Sequence, residues 1–206
     1  GLRVLDIGCN DGSLLSFFAS KGAKTFGIEP TGAAEDAMAA GHSVTKAFFT
    51  PDIAQDFVRA NGQPDIITFT NVFAHIEDLK SVLVAVRTLM GPQTLLVIEN
   101  HYFGAVLDRY QFDTFYHEHP RTYSLTSFQR IAQTLGAQLV AAEFPSRYGG
   151  NIRVMIQVGT QSNLDSESLQ KLAQESRFEE RLLRMAAGIP LWQKAKRAEI
   201  ADTVAR

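Results

Sequence analysis

Two stretches of this chain concentrate side chains able to do chemistry. The first is Val4-Leu5-Asp6-Ile7-Gly8-Cys9-Asn10-Asp11-Gly12, a glycine turn between a β-rich run and a helical one. Such a turn presents bare backbone N–H groups at the carboxyl edge of a parallel sheet, where folds of this kind bind ligands. Gly8 and Gly12 let the main chain turn tightly and approach a ligand closely. A dinucleotide site would read G-x-G-x-x-G, whereas here Asn10 stands between the glycines and no third glycine follows. Asp6, two residues before Gly8, suits a cofactor with a cationic ammonium group better than a diphosphate, and Glu29 closes the second strand, where a carboxylate can accept both hydroxyls of a ribose. A nicotinamide or flavin cofactor, and a turn that merely packs, are the alternatives. Cys9 reads as a small buried filler, because no histidine adjoins it in sequence to activate a nucleophile. After the fourth strand, Asn71 can offer its amide to a bound ligand and His75 would overhang the reacting end, a structural histidine being the plain alternative.

The second stretch is Phe112-Asp113-Thr114-Phe115-Tyr116-His117-Glu118-His119-Pro120. Imidazole titrates near neutrality, and a neighbouring carboxylate or phenol can orient it and stabilise its protonated form, so general acid–base work fits these residues. In an extended conformation Tyr116, Glu118 and Pro120 share one face while His117 and His119 share the other. A metal is not expected. The H-E-x-x-H helical spacing is absent, and a third ligand such as His101 or His75 would have to be recruited from elsewhere. Capping groups of a polar loop are the bland reading.

These stretches need a scaffold, and the chain supplies alternating strands and helices, the pattern of an α/β domain with a mainly parallel sheet. Strands are expected at Arg3 to Ile7, Thr25 to Ile28, Ser43 to Thr45, Asp65 to Thr70, Thr94 to Glu99, Gln138 to Phe144 and Ile152 to Val158. Helices are expected at Ser13 to Ser20, Gly32 to Ala40, Asp52 to Ala60, Leu79 to Met90 and Leu125 to Leu135, with Ser13 and Asp52 as N-caps. Between His101 and Tyr123 an aromatic segment without secondary structure is expected, long enough to be functional. From Leu164 the pattern is helical, with a break at Gly188-Ile189-Pro190. Residues 1–160 thus read as one domain and 161–206 as a helical extension. Gly1 is not a methionine and Arg206 falls inside a helical pattern, so a piece of a longer protein is expected.

Composition narrows the functions. The 206 residues are 45% hydrophobic, enough for one ordinary core, and the formal net charge of -2 provides no basic field to attract nucleic acid or an acidic membrane. A single cysteine excludes an internal disulfide or a cysteine-rich zinc site, and no run of about 18 apolar residues occurs. The expectation is a cytoplasmic protein acting on a small molecule.

Asp6 to Gly12 followed by Glu29 resembles motif I and the next acidic position of class I methyltransferases. That resemblance implies S-adenosylmethionine as cofactor, with Asp6, Gly8, Asn10, Gly12, Glu29 and Asn71 at its site, and a Rossmann-like seven-stranded sheet, mainly parallel, with an antiparallel strand near the C-terminal end. More specifically, Asn71-Val72-Phe73-Ala74-His75-Ile76-Glu77-Asp78-Leu79, Asp113-Thr114-Phe115-Tyr116-His117-Glu118-His119 and Tyr148-Gly149-Gly150-Asn151-Ile152-Arg153-Val154 together resemble the C-methyltransferases of deoxysugar biosynthesis. That family includes sugar 3-C-methyltransferases acting on nucleotide-linked 4-keto-6-deoxyhexoses, and its members usually carry an N-terminal zinc-binding domain and a second C-terminal α/β domain.

By motif, His119 resembles the base that removes the proton beside the ketone, with Tyr116, Glu118 and His75 as its companions around substrate and enolate. Two departures bear on the substrate: Tyr148 stands where the family often has histidine, and His101 where proline is common. Arg153 reads either as a surface strand residue or as a ligand contact. O- or N-methylation of a small metabolite and a non-catalytic cofactor-binding domain are the competing readings.

Overall fold

The computed structural model describes residues 1–205. Its centre is a seven-stranded sheet in the order β3-β2-β1-β4-β5-β7-β6. The strands are β1 (Arg3–Ile7), β2 (Lys24–Ile28), β3 (Ser43–Thr45), β4 (Ile66–Thr70), β5 (Leu95–His101), β6 (Gln138–Glu143) and β7 (Asn151–Gln157). β1 through β5 pair in parallel, and β7 runs antiparallel to both β5 and β6. The expected Rossmann-like α/β sheet is therefore present, with its one antiparallel strand. β1 and β4 are central and buried on both faces, so that even their polar residues Asp6 and Thr68 are enclosed.

The helices are α1 (Ser13–Ser20), α2 (Ala34–Ala39), α3 (Pro51–Asn61), α4 (Leu79–Leu89), α5 (Phe103–Arg109), α6 (Leu125–Thr134), α7 (Ser166–Glu175) and α8 (Phe178–Val204). Two expected caps move back. Thr50, not Asp52, caps α3 by accepting from the Ile53 amide at 3.3 Å, because Pro51 takes the first helical position. Gly12, not Ser13, precedes α1, in a left-handed conformation that carries no side-chain cap.

Two larger expectations fail. The aromatic segment is not structureless: Phe103, Val106 and Leu107 recur at helical spacing, the last two buried, and form α5. The tail does not break at Gly188-Ile189-Pro190, since α8 runs through Pro190. Good helix formers follow the proline, and Trp192 beyond it packs on Phe112 at 4.8 Å between ring centroids. β5 also extends two residues past Glu99, because Asn100 and His101 pair with Ile152 and Asn151 of β7.

One aromatic ladder sets the geometry above the sheet. Phe69 at the end of β4 packs on Phe73 at 5.1 Å, Phe73 on Tyr123 at 5.5 Å, and Tyr123 stacks on Phe128 of α6 at 5.0 Å. It ties the loop after β4 to the return of the aromatic segment into α6, and Phe178 and Met185 of α8 join the same core.

Candidate active site

The glycine turn occupies the carboxyl edge of the sheet as expected. Gly8, Asn10 and Gly12 all take positive φ (73°, 50° and 79°), and the Gly8 amide donates to the Ile28 carbonyl at 2.8 Å. A Cβ on Gly8 would meet Val72 at 2.5 Å, and one on Gly12 would meet His42 at 2.7 Å. Both glycines are therefore demanded by the packing of neighbouring loops, independently of any ligand. His42 itself is structural, buried between the hydroxyls of Ser16 and Thr25 at 2.9 Å each.

Two buried carboxylates flank the turn. Asp6 accepts from the Thr68 hydroxyl at 2.6 Å, while Glu29 accepts from the Asn10 and Thr31 amides at 3.1 and 2.9 Å. Burial, partly offset by the Thr68 hydrogen bond and reinforced by the Glu29 charge, pushes the Asp6 carboxyl up to about 7. Among the described residues neither acid has a cationic partner. Two desolvated acids without a protein cation repel a diphosphate and favour a ligand that brings a positive charge and hydroxyl donors. The Cys9 thiol beside them is pushed up to about 12 by burial and by these charges, so it stays protonated and inert.

A cleft of about 270 Å³ opens on the β4–β5–β7 side of the turn. Asn71 and His75 enter it from the segment after β4, Asn100 and His101 from the end of β5, and Tyr116 and His119 from the aromatic segment, with Tyr148 at the rim. The aromatic segment is stitched down over β4. His75 Nδ1 donates to the Glu118 carbonyl at 2.8 Å, Arg121 donates to the carbonyls of Ile76 and Glu77, and the Tyr123 hydroxyl donates to the Phe73 carbonyl at 3.2 Å. Burial pushes that Tyr123 phenol up to about 12, which keeps it a donor.

Residues 116–119 are not extended, so the face-sharing that an extended conformation would give does not arise. The His119 amide closes a turn onto the Tyr116 carbonyl at 2.9 Å. The turn brings Tyr116 and His119 to the same side, with the Tyr116 hydroxyl 3.2 Å from His119 Nε2, and leaves His117 and Glu118 side chains mostly exposed and 3.8 Å from each other. Glu118 thus touches the cluster through its main chain, by way of His75.

Carbonyl oxygens accept only, so the Thr114 carbonyl at 3.1 Å requires a proton on His119 Nδ1, and the Glu118 carbonyl requires one on His75 Nδ1. In the neutral rings the lone pair of each is therefore on Nε2. His119 Nε2 receives the Tyr116 hydroxyl and is a base with its tautomer fixed by the main chain. The His75 and His119 ring centroids lie 4.6 Å apart, and those of His101 and His119 lie 5.8 Å apart. Burial, then the charges of His119 and His75, hold His101 below the ordinary imidazole range. Among the described residues no three His, Cys, Asp or Glu side chains are arranged to hold a metal ion.

The sequence reading missed Asn100 as a site residue and left Arg153 open. Arg153 belongs to a support rather than to the cleft. It pairs with buried Glu99 at 2.7 Å and with Glu143 at 2.8 Å, while Asn151 joins the other Glu99 oxygen at 2.8 Å and reaches Asn71 at 3.4 Å. The one available signal was a polar pair, Asn100-His101, continuing a strand beyond its apolar run. A second hollow, of about 320 Å³, lies between α6 and α7, but its carboxylate, Glu175, is already committed to the Leu125 and Thr126 amides and the Tyr102 hydroxyl.

Residues 1–142 match the family described as Methyltransferase domain. Over 158 residues the chain is 30% identical to the C-methyltransferase NovU of Streptomyces niveus, covering 75% of this chain and 37% of that protein. It is 34% identical over 97 residues to the ubiquinone biosynthesis O-methyltransferase of Aeromonas salmonicida, covering 45% of this chain and 40% of the relative. The chain therefore spans well under half the length of these relatives. Among solved structures, the magnesium protoporphyrin IX methyltransferase of Synechocystis PCC 6803 with bound SAH superposes with a TM-score of 0.57 at 17% identity, covering 77% of this chain and 74% of that one. At that identity the likeness is one of fold.

Proposed function

The chain belongs to the methyltransferase-domain family, and on that premise we propose that it transfers a methyl group from S-adenosylmethionine to a carbon beside a ketone on a nucleotide-linked 4-keto-6-deoxysugar. The observation that carries this reading is the Tyr116–His119 pair, a phenol on the Nε2 of an imidazole whose other nitrogen is held by a main-chain carbonyl. Carbon becomes a nucleophile only after an acidic C–H is removed, and that step needs a fixed base. His119 Nε2 takes the proton, and the electron pair of the broken C–H bond moves onto the ketone oxygen as an enolate. Tyr116, turning its hydroxyl from the protonated His119 to the substrate, is placed to share that charge, with the His75 ring packed beside His119. Glu118 holds the His75 ring through its carbonyl.

Asp6, Gly8, Asn10, Gly12, Glu29 and Asn71 would hold the cofactor, the ammonium group answering the charge of Asp6 and the ribose hydroxyls reaching Glu29. The cofactor supplies an electrophilic methyl group on a sulfonium. The uncompensated acids at the turn fit that cation. The solved methyltransferase of Synechocystis with bound SAH supports the assignment, and the likeness to NovU, a C-methyltransferase, supports a carbon acceptor.

In whole protein, His119→Ala should keep S-adenosylmethionine affinity and lose exchange of the substrate's α-proton with solvent by roughly 10²–10⁴-fold. Unchanged exchange would reject His119 as the base. The match to ubiquinone O-methyltransferases favours a second reading, in which His119 deprotonates a hydroxyl and the methyl goes to oxygen. Product analysis separates the two, since a methyl group found on oxygen rejects the first.

A further inference from the structure

Asn100 is the most buried of the polar cleft side chains that the preceding roles leave unused, His101 and Tyr148 being the others. It is 1% exposed, it lines the cleft, and its Nδ2 is buried without a hydrogen-bond partner. Its Oδ1 has no protein partner either and is the less buried end, so a half-turn of the last torsion brings the NH2 group to the cleft without breaking a protein hydrogen bond. A buried amide in that state is costly, and such groups are normally paired. Several other donors of the cleft are already engaged. His119 and His75 have spent their Nδ1 protons on the carbonyls of Thr114 and Glu118, and until His119 takes the substrate proton the Tyr116 hydroxyl is on its Nε2. Asn71, the other amide, is held through its Oδ1 by Asn151, and its neighbour Val72 packs on Gly8 of the cofactor turn. Sheet order places Asn100 on β5, across β4 from β1 and on the far side from Glu29, hence on the acceptor side of the site.

From these observations we infer that the Asn100 amide donates to the oxygen of the ketone adjacent to the methylated carbon, and keeps that hydrogen bond as negative charge develops there. The assignment rests on the C-methylation reading above. It gives the site an acceptor specificity: the substrate must place an sp² oxygen, not an amine or an alkyl group, against the end of β5. An amide that can turn about its last torsion also accommodates the oxygen without disturbing β5, whose main chain at Asn100 is paired with Ile152.

The experiment uses the whole protein with S-adenosylhomocysteine, so that no methyl is transferred, and a nucleotide-linked 4-keto-6-deoxyhexose in deuterated water. Wild type should exchange the α-proton. Asn100→Ala should bind S-adenosylhomocysteine as wild type does in calorimetry and exchange roughly 10²–10³-fold more slowly. Wild-type exchange with an unimpaired Asn100→Ala overturns the assignment alone, whereas no exchange by wild type rejects the C-methylation reading and the assignment with it. Should the variant fail to bind S-adenosylhomocysteine, the unmodified protein decides. Its Asn100 side-chain NH2 signals should shift in NMR on adding the keto-sugar to the S-adenosylhomocysteine complex. A shift complete with S-adenosylhomocysteine alone would assign the amide to the cofactor and overturn the inference.

Discussion

Asp6 shows how a single buried acid can oppose folding. Its carboxyl is pushed up to about 7 in the folded chain against an ordinary value near 3.8. Between those values the folded state keeps a proton that the unfolded chain has released, so the residue's cost to stability grows as pH rises from about 4 and is complete above about 7. Asp6→Asn should therefore raise the melting temperature of the ligand-free protein at pH 8, corresponding to at most about 4 kcal/mol, with the gain vanishing toward pH 4. The same change should weaken S-adenosylmethionine binding. In wild type, affinity should rise as pH climbs toward 7, because a cationic ligand prefers the ionised acid. A melting-temperature difference independent of pH would show that Asp6 is not the desolvated group the geometry makes it.

Among elements, the β5–β7 pair supports the cleft through a buried ion pair. Glu99 has a side chain only 4% exposed, and both its oxygens are taken, by Arg153 and by Asn151 on the facing strand. Arg153→Met would leave that carboxylate in the sheet with an amide alone. Because Arg153 is itself 35% exposed, we expect a loss of about 2–3 kcal/mol in urea unfolding, below the 3–5 kcal/mol typical of a fully buried pair. Adding Glu99→Gln should restore most of it, since breaking a buried pair is costlier than replacing both members. A double variant no more stable than Arg153→Met would contradict this. The pairing also explains why β5 reaches His101: facing residues of β7, not propensity, decide where a strand stops. Asn100 and His101 were accordingly legible as polar residues but not as residues of the sheet edge.

At the scale of the molecule, the long C-terminal helix contributes to the buried core over its first half only. Phe178 and Met185 join the main core, with Met185 2% exposed, whereas Leu191 beyond Pro190 is 74% exposed. Met185→Ala should cost about 2–5 kcal/mol and Leu191→Ala no more than about 0.5 kcal/mol in thermal or chemical unfolding. Equal effects would place the boundary elsewhere. The proline did not end the helix as its residue type suggests, because the penalty of one interior proline is a few kcal/mol and a long run of helix formers, with Trp192 docked on Phe112, outweighs it. No helix of the described residues is long and apolar enough to cross a membrane.

The fold class, the glycine turn with its two acids and the residue types of the cleft were all legible in the sequence, because each rests on local pattern: buried parallel strands, left-handed glycines before a helix, a cluster of titratable side chains. What only the tertiary structure decided is how those side chains meet. A turn at Tyr116–His119, invisible to alternation, put the phenol on the imidazole and turned the Glu118 carboxylate away. Main-chain carbonyls from other parts of the loop chose the tautomers of His75 and His119. Pairing with β7 buried Asn100 and left its amide unpaired. Each of these depends on hydrogen bonds between residues brought together by packing, and such contacts carry no signature in the order of residues along the chain.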